Sequence, residues 1–114
     1  MDSLQVSEKV VSLLENKKAK DIVAINIENV TILADYFVIC NGSSTTHIKS
    51  LADEIEKCLG AEGGPQLLHR EGYNSARWIL LDYGDVVIHV FHENDRKFYD
   101  IERLWSDGVI TYRG

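Results

Sequence analysis

The segment ARWILLDYGDVVIHVFH, residues 76–92, limits the fold of this chain more than any other feature of its sequence. Two apolar runs flank a tight Gly84-Asp85 turn, and this pattern predicts a β-hairpin. Side chains alternate between the two faces of a strand, so the first strand carries large groups on both of them. One face has Trp78, Leu80 and Asp82, and the other has Arg77, Ile79, Leu81 and Tyr83. Such a hairpin is either buried on both faces or presents one of them to a partner.

Length and composition predict one domain, residues 1–114, with a single hydrophobic core. The chain has 114 residues, 45% of them hydrophobic, and its one proline argues against a proline-rich linker. It contains no run of about 18 apolar residues that could cross a membrane. The first residues are acidic and amphipathic, unlike a signal peptide or a transit peptide. We therefore expect a cytoplasmic protein.

The charge of the chain favours a protein partner over a nucleic acid. Its 18 acidic residues outnumber its 12 basic residues and give a formal net charge of −6. Phosphate backbones repel such a chain, so direct nucleic-acid binding is disfavoured and a basic protein is the favoured partner. The arginines all lie in the second half of the sequence, however, so a local basic patch stays an alternative.

The order of apolar patterns along the chain predicts an α+β domain. Helical spacing predicts about three helices, at residues 3–16, at residues 45–59 and from Asn94 or Asp95 onward. Strand patterns lie at residues 21–27, 36–40 and 66–69 and in the hairpin. The resulting order, α-β-β-α-β-β-β-α, predicts a mixed and mostly five-stranded sheet. Three helices cannot cover both faces of that sheet, so we expect one face to be partly open at the hairpin.

The helix ends and the C-terminal segment carry further local signals. Ser3 is the expected cap of the first helix, and Gly60 is the expected left-handed stop of the second. An apolar stripe of the last helix should face the core: Phe98, Ile101, Leu104 and Trp105. The pattern does not decide whether the final six residues, VITYRG, form a short strand or an ordered tail.

No motif in the sequence supports catalysis or metal binding. Gly42-Ser43 ahead of a helix is similar to the phosphate-holding turn of nucleotidyl transferases, but those enzymes need two carboxylates at i and i+2 on a following strand. No such pair follows, and Asp82 and Asp85 are three residues apart and flank a turn. The four histidines and the two cysteines, Cys40 and Cys58, lack metal-ligand and redox spacing. We expect a protein that is not an enzyme, with no metal and no cofactor.

Three segments together resemble the ribosomal silencing factor family, also called the Iojap-related family. They are ADYFVICNGSS at residues 34–44, EGYNSARWILLDYGDVVIHVF at residues 71–91 and FYDIERLWSD at residues 98–107. The most specific part is the pattern W-(x)3-D-(x)-GD-(x)3-H-(x)-F followed by Y-(x)2-E-(x)-LW. The resemblance runs in order over residues 3–107, which is most of the chain.

The resemblance implies a small, non-catalytic α+β protein with a nucleotidyl-transferase-like topology that lacks the catalytic carboxylates. It implies a translation repressor that binds a basic protein on the intersubunit face of the large ribosomal subunit. There the protein would block joining of the small subunit and lower protein synthesis under nutrient limitation. Organellar relatives assist large-subunit assembly. The protein would act as a monomer on the ribosome, and a homodimer of the free protein stays open. The alternative is a nucleotidyl-transferase-type enzyme that acts on a nucleotide.

The hairpin supplies the residues that we expect at the partner-binding surface: Arg77, Trp78, Leu80, Asp82, Tyr83 and His89. Trp78 is predicted to be an apolar anchor, since aromatic side chains dominate many interfaces, and an ordinary core position is the alternative. Asp82 is predicted to face a Lys or Arg of the partner. Tyr83 marks the opposite side of the sheet, which is the alternative docking side. His89 is predicted to contact the partner or to fill a half-buried position. Trp105 is expected in the core.

Overall fold

The computed structural model describes residues 1–61 and 63–114. Its helices are α1 (Ser3–Asn16), α2 (Thr45–Leu59), α3 (Glu93–Tyr99) and the single-turn α4 (Ile101–Leu104). Its strands are β1 (Lys20–Asn26), β2 (Tyr36–Gly42), β3 (His69–Glu71), β4 (Trp78–Asp82), β5 (Val86–His92) and β6 (Val109–Arg113). These elements follow the predicted order along the chain, except that the last helix is split and a further strand follows it.

The described strands form one sheet in the order β3-β4-β5-β2-β1-β6. Among them, only β2 and β5 run parallel, so the predicted mixed sheet of an α+β domain is confirmed. The sheet has six strands rather than five because the C-terminal segment pairs with β1 and places Ile110 opposite Ile25. Most of β6 is exposed, and its sequence therefore lacks the apolar alternation that would have marked it as a strand.

The larger core cluster joins α1 and α2 to one face of the sheet. The apolar stripes of the two helices are buried in it, and Leu14 of α1 and Leu51 of α2 have no exposed surface. They pack in the same cluster as the inward side chains of the central strands: Val38, Cys40, Ile79, Leu81, Ile88 and Val90. Burial of these side chains supplies most of the apolar area that stabilises the domain.

The opposite face of the sheet has a smaller core cluster. Helix α3 packs across β5 and β2, and the cluster contains six large aliphatic and aromatic side chains: Val23, Ile25, Ile27, Ile39, Phe91 and Ile101. At its margin lie half-buried apolar residues: Phe37, Trp78, Val87 and Trp105. The two short helices leave the β4 side of this face partly open, as the helix count predicted.

Three local predictions about element ends are wrong. Asp2, not Ser3, caps α1, because the Asp2 carboxylate accepts a 2.8 Å bond from the backbone N–H of Gln5, whose side chain accepts one in return. Gly60 ends α2 with a right-handed φ of −76°, so the helix does not need a left-handed stop. Strand β3 spans His69–Glu71 rather than residues 66–69, because pairing with β4 and not its own apolar content defines it.

The predicted stripe of the last helix is interrupted at Asp100. This residue has a left-handed conformation with φ of 43°, which ends α3 and starts α4 in a new direction. Ile101 is buried, as predicted, whereas Trp105, predicted in the core, is half-buried at the margin of the smaller cluster. Phe98 and Leu104 are instead 81% and 76% exposed. Helical periodicity assumes a continuous helix, and the break at Asp100 turns these two side chains away from the core.

The helices are short and amphipathic. The longest of those described, α2, has 15 residues and buries only one side. Within residues 1–61 and 63–114, no helix has the length and apolar content that a bilayer crossing requires.

Candidate docking surface

Strand β4 has two unequal faces. Ile79 and Leu81 are fully buried toward α1 and α2, while the alternate positions of the strand are half-buried. Val87 of β5 pairs with Asp82 and is half-buried as well. This alternation confirms the face assignment predicted from the period of two residues. We call the half-buried residues the open face: Trp78, Leu80, Asp82 and Val87.

Polar side chains, one of them a carboxylate, border the open face at the edge of the sheet. Cross-strand pairing places Glu71 of β3 opposite Leu80 and His69 opposite Asp82, on the same face in both cases. Strand β3 is exposed over its whole length. The open face therefore combines apolar surface with carboxylates, which suits a partner that offers apolar and basic groups.

The indole of Trp78 is held by three neighbouring rings. It is stacked on Phe91, with 4.9 Å between the ring centroids, and tilted against Tyr99 at 4.7 Å. Its Nε1–H donates a 3.1 Å hydrogen bond to Nδ1 of His89. Trp78 is thus neither a freely exposed anchor nor a fully buried core residue. Its polar atom is used inside the protein, and part of the side chain stays exposed.

His89 lies beneath the open face and is only 4% exposed. Burial lowers the pKa of its imidazole from 6.5 to about 4, so the ring is neutral at neutral pH. Since Nδ1 accepts the bond from Trp78, the single ring proton belongs on Nε2. Among the described residues, Nε2 has no hydrogen-bond partner. The ring meets Phe37 edge to face at 5.0 Å.

The other predicted site residues divide between buried and exposed positions. Tyr83 is 8% exposed and packs in the larger core, where burial raises the pKa of its hydroxyl to about 12. Arg77 is exposed and forms a two-bond ion pair with Asp95 at 3.1 and 2.8 Å, which lowers the pKa of Asp95. Burial leaves little of either ring within reach of a partner, which argues against direct contact by Tyr83 and His89.

Asp82 serves the hairpin turn as well as the open face. Its Oδ1 accepts a 2.8 Å hydrogen bond from the backbone N–H of Gly84, which has a positive φ of 85°. Tyr83 N–H donates to the carbonyl of Val86 across the same turn at 3.0 Å. One oxygen of the half-buried carboxylate thus fixes the turn, and among the described residues the second has no recorded hydrogen bond or ion pair. Any test of the Asp82 charge has to preserve the bond to Gly84.

Two aromatic residues adjoin the open face that the sequence analysis did not assign to it. Tyr99 contacts Trp78 and is 48% exposed, and Phe98 meets Tyr99 edge to face at 5.1 Å. The signal in the sequence was the Phe98-Tyr99 pair directly before Asp100. Asp is one of the few residue types that readily adopts a left-handed conformation, and here that conformation ends α3. Together with Trp78 these rings form an aromatic ridge beside the open face.

The Gly42-Ser43 turn uses its polar groups within the protein. The backbone N–H of Ser43 donates to Nδ1 of His47 at 3.0 Å, and Nε2 of His47 lies 2.9 Å from the carbonyl of Lys17. Ser44, rather than Ser43, caps α2 by accepting from the N–H of His47. An amide engaged in this way is not free to hold a phosphate. Within the described ranges, no group of three or more His, Cys, Asp or Glu side chains could hold a metal ion.

A polar cleft of about 780 Å³ lies where α3 and α4 meet the start of β1 and the ends of β2 and β6. Arg96 is nearly buried beside it and donates to Oε1 of Glu102 at 2.8 Å and to Oδ1 of Asn41 at 3.1 Å. It also donates to the backbone carbonyl of Asp21. These bonds fasten the two short helices to the sheet and hold Tyr99 of α3 near Trp78.

The sequence matches the family described as ribosomal silencing factor during starvation over residues 1–112. Ribosomal silencing factor RsfS of Bacillus subtilis is 40% identical over 111 residues, which cover 97% of this chain and 93% of that protein. The mouse protein named mitochondrial assembly of ribosomal large subunit protein 1 is 32% identical over 102 residues, covering 87% of this chain and 44% of that protein.

A solved structure has the same fold. The crystal structure of a protein from Chromobacterium violaceum superposes with a TM-score of 0.88 at 35% identity, covering 93% of this chain and 88% of that one. Sequence and fold thus agree over nearly the whole length of the domain. The chain belongs to the ribosomal silencing factor family.

Proposed function

We propose that this protein is a cytoplasmic translation repressor that binds a basic protein on the intersubunit face of the large ribosomal subunit. Bound there, it keeps the small subunit from joining and lowers protein synthesis under nutrient limitation. Membership of a family described by silencing during starvation supports the role in translation. The name of the mouse relative, which refers to assembly of the large subunit, supports the choice of that subunit.

The observation that carries the docking proposal is the open face. Trp78 and Leu80 expose apolar area on the face of the sheet that the two short helices cover only in part. Phe98 and Tyr99 extend this area with exposed rings. Removing apolar surface from water contributes about 25 cal/mol per Å². A partner that covers the open face therefore gains free energy without any rearrangement of the core.

Charge supports a basic protein as the partner. Glu71 and Asp82 lie on the same face as Leu80, and the chain as a whole has a net charge of −6. Complementary charge raises the association rate and excludes acidic partners, whereas ribosomal RNA would be repelled. The paired Arg77 does not reverse this balance, because Asp95 neutralises it.

The size of the domain fits a steric mechanism. Its principal extents are 34 × 33 × 23 Å. A body of this thickness cannot be accommodated between two surfaces that must approach to hydrogen-bonding distance. Docking on the intersubunit face is therefore enough to prevent subunit joining, and no catalytic step is required.

A sucrose-gradient experiment tests the proposal. Tagged protein should sediment with free large subunits, be absent from translating ribosomes and reduce the joining of purified subunits in proportion to its occupancy. Equal recovery with the small subunit, or normal joining at saturating occupancy, would contradict the proposal. The Trp78→Ala variant, whose open face lacks the indole, is the matched control and should sediment near the top of the gradient.

The salt dependence of binding separates a protein partner from RNA. Contact with a basic protein should weaken moderately as salt rises, because only a few exposed charges are involved. A slope equivalent to about six or more neutralised phosphates would identify RNA as the main ligand. Sedimentation of the free protein at several concentrations would show whether a homodimer competes with docking.

The nucleotidyl-transferase alternative has less support. The N–H of Ser43, which would face a phosphate in such an enzyme, is bound to His47. Incubation with nucleoside triphosphates and Mg²⁺ is the direct test, and turnover that disappears on removal of Mg²⁺ would restore the enzyme hypothesis.

A further inference from the structure

His89 occupies a position where a histidine is costly. It lies in the middle of β5, and its neighbours Phe37 and Phe91 are aromatic. Its Nε2–H is buried without a hydrogen-bond partner among the described residues. A buried donor without a partner loses its hydration and gains nothing in return, so an apolar ring of similar shape would suit the fold better.

The one hydrogen bond that His89 makes acts on Trp78. Nε1–H is the only polar group of an indole, and it points at a buried acceptor 3.1 Å away. Stacking on Phe91 and contact with Tyr99 limit how far the ring can shift, but aromatic contacts alone leave it free to rotate about χ2 and exchange the edge that points inward. The bond to Nδ1 removes that freedom and keeps the carbon edge of the indole at the surface.

We propose that His89 is a positioning residue, which accepts the indole N–H of Trp78 and thereby holds the carbon edge of that ring toward the docking partner. The inference rests on the proposed function and deepens it. Trp78 then contributes apolar contact and no hydrogen bond to the partner. The partner should accordingly offer an apolar pocket or the methylene stem of a long side chain rather than an acceptor at this point.

A matched pair of variants tests the inference. In His89→Asn, the amide oxygen takes a place close to that of Nδ1 and keeps an acceptor for the indole. In His89→Gln, the amide lies close to the place of Nε2, and the acceptor next to Trp78 is lost. The two variants are similar in polarity and differ in where they offer the oxygen. A third variant, His89→Phe, keeps the ring and removes both nitrogens.

The first measurement is the indole N–H resonance of Trp78 in the free protein by ¹⁵N-correlated NMR, assigned with Trp105→Phe. We expect this resonance to move and its exchange with solvent to quicken in His89→Gln and His89→Phe, and to stay close to wild type in His89→Asn. A purely structural His89 would change stability in all three variants without separating Asn from Gln in this signal. Should His89→Phe fail to fold, the Asn and Gln pair still decides the outcome.

The second measurement is affinity for large ribosomal subunits. We expect a loss of about fivefold or more in His89→Gln, a smaller loss in His89→Asn, and no further loss when His89→Gln is added to Trp78→Phe. Equal affinities of the Asn and Gln variants, or a wild-type indole resonance in both, would overturn the inference alone. Wild-type affinity of Trp78→Ala would overturn the docking face itself and this inference with it, so the two failures are distinguishable.

Discussion

The two faces of the β4 strand have similar apolar content and different surroundings. Ile79 and Leu81 lie under α1 and α2, which have 14 and 15 residues, and are fully buried. Leu80 and Trp78 lie on the side of α3 and α4, which have seven and four residues, and are only half-buried. The comparison teaches that the length of the covering helices, not the apolar character of the strand, decides which face stays partly open.

The incompletely covered face also carries buried polar side chains. His89 and Asn41 are both buried on this side, and each is hydrogen-bonded to a neighbouring side chain. Polar groups in a core add directional constraints to packing. One face of the sheet thus stabilises the domain, while the other fixes the orientation of particular side chains.

The largest effect should come from breaking the covered face. Leu81→Ala removes a side chain with no exposed surface and should lower the free energy of unfolding by about 2–5 kcal/mol. Leu80→Ala, one residue earlier, should cost less than half as much and should weaken docking instead. Chemical denaturation of both variants makes the comparison. Equal stability losses would mean that the two faces of β4 are equivalent, contrary to the structure.

A second effect follows from the burial of His89. Its pKa is lowered from 6.5 to about 4 in the folded protein, so the unfolded chain binds the proton first. The free energy of unfolding therefore has its full value above pH 6.5 and decreases as the pH falls toward 4. The loss amounts to about 3 kcal/mol over that window. Unfolding midpoints from pH 8 to 4 should therefore fall more steeply for wild type than for His89→Gln, and parallel curves would contradict the assignment.

Sequence reasoning identified the fold through the elements with strong periodicity. The stripes of α1 and α2 and the alternation of β4 could be read directly, because helical and extended side chains repeat with periods of 3.6 and two residues. Strand β6 and the division between α3 and α4 could not be read in this way. Pairing with β1 defines strand β6, and the left-handed Asp100 defines the division between α3 and α4. Neither feature has an apolar pattern of its own.

The predicted site residues met the same limit. Period-two spacing placed Trp78, Leu80 and Asp82 on one face correctly, but it carries no information on what covers a face. Burial of His89 depends on Phe37 and Trp78 from other strands, and the contact of Tyr99 with Trp78 depends on how α3 crosses the sheet. These are long-range contacts, which no local pattern in the chain encodes.

Truncation of Trp78 tests the division of roles within the open face. Trp78→Ala should lower docking free energy by about 2 kcal/mol, as expected of an aromatic anchor. It should also cost stability, because the indole contacts Phe91 and Tyr99. The cost should be about half of the 3–5 kcal/mol that is typical of a fully buried aromatic residue. Ile79→Ala on the covered face is the control: it should lower the melting temperature and leave the affinity of folded protein unchanged.

The smallest expected effect separates the two functions of Asp82. Asp82→Asn keeps an oxygen that can accept from Gly84 N–H and removes the charge, so stability should change by less than about 0.5 kcal/mol. Its affinity for large subunits should fall by about 0.5–1 kcal/mol, and the fall should shrink at high salt, since a half-buried carboxylate is still reached by screening ions. Asp82→Ala should lose about 1 kcal/mol more stability, because the hydrogen bond to Gly84 N–H is lost as well. Asp82→Lys should weaken docking more than either of the other two variants, because it places like charges together. If Asp82→Asn and Asp82→Lys both bind as wild type does while Trp78→Ala does not, the partner touches the aromatic ridge and not the acidic edge, and the open face is an interface on its Trp78 side alone.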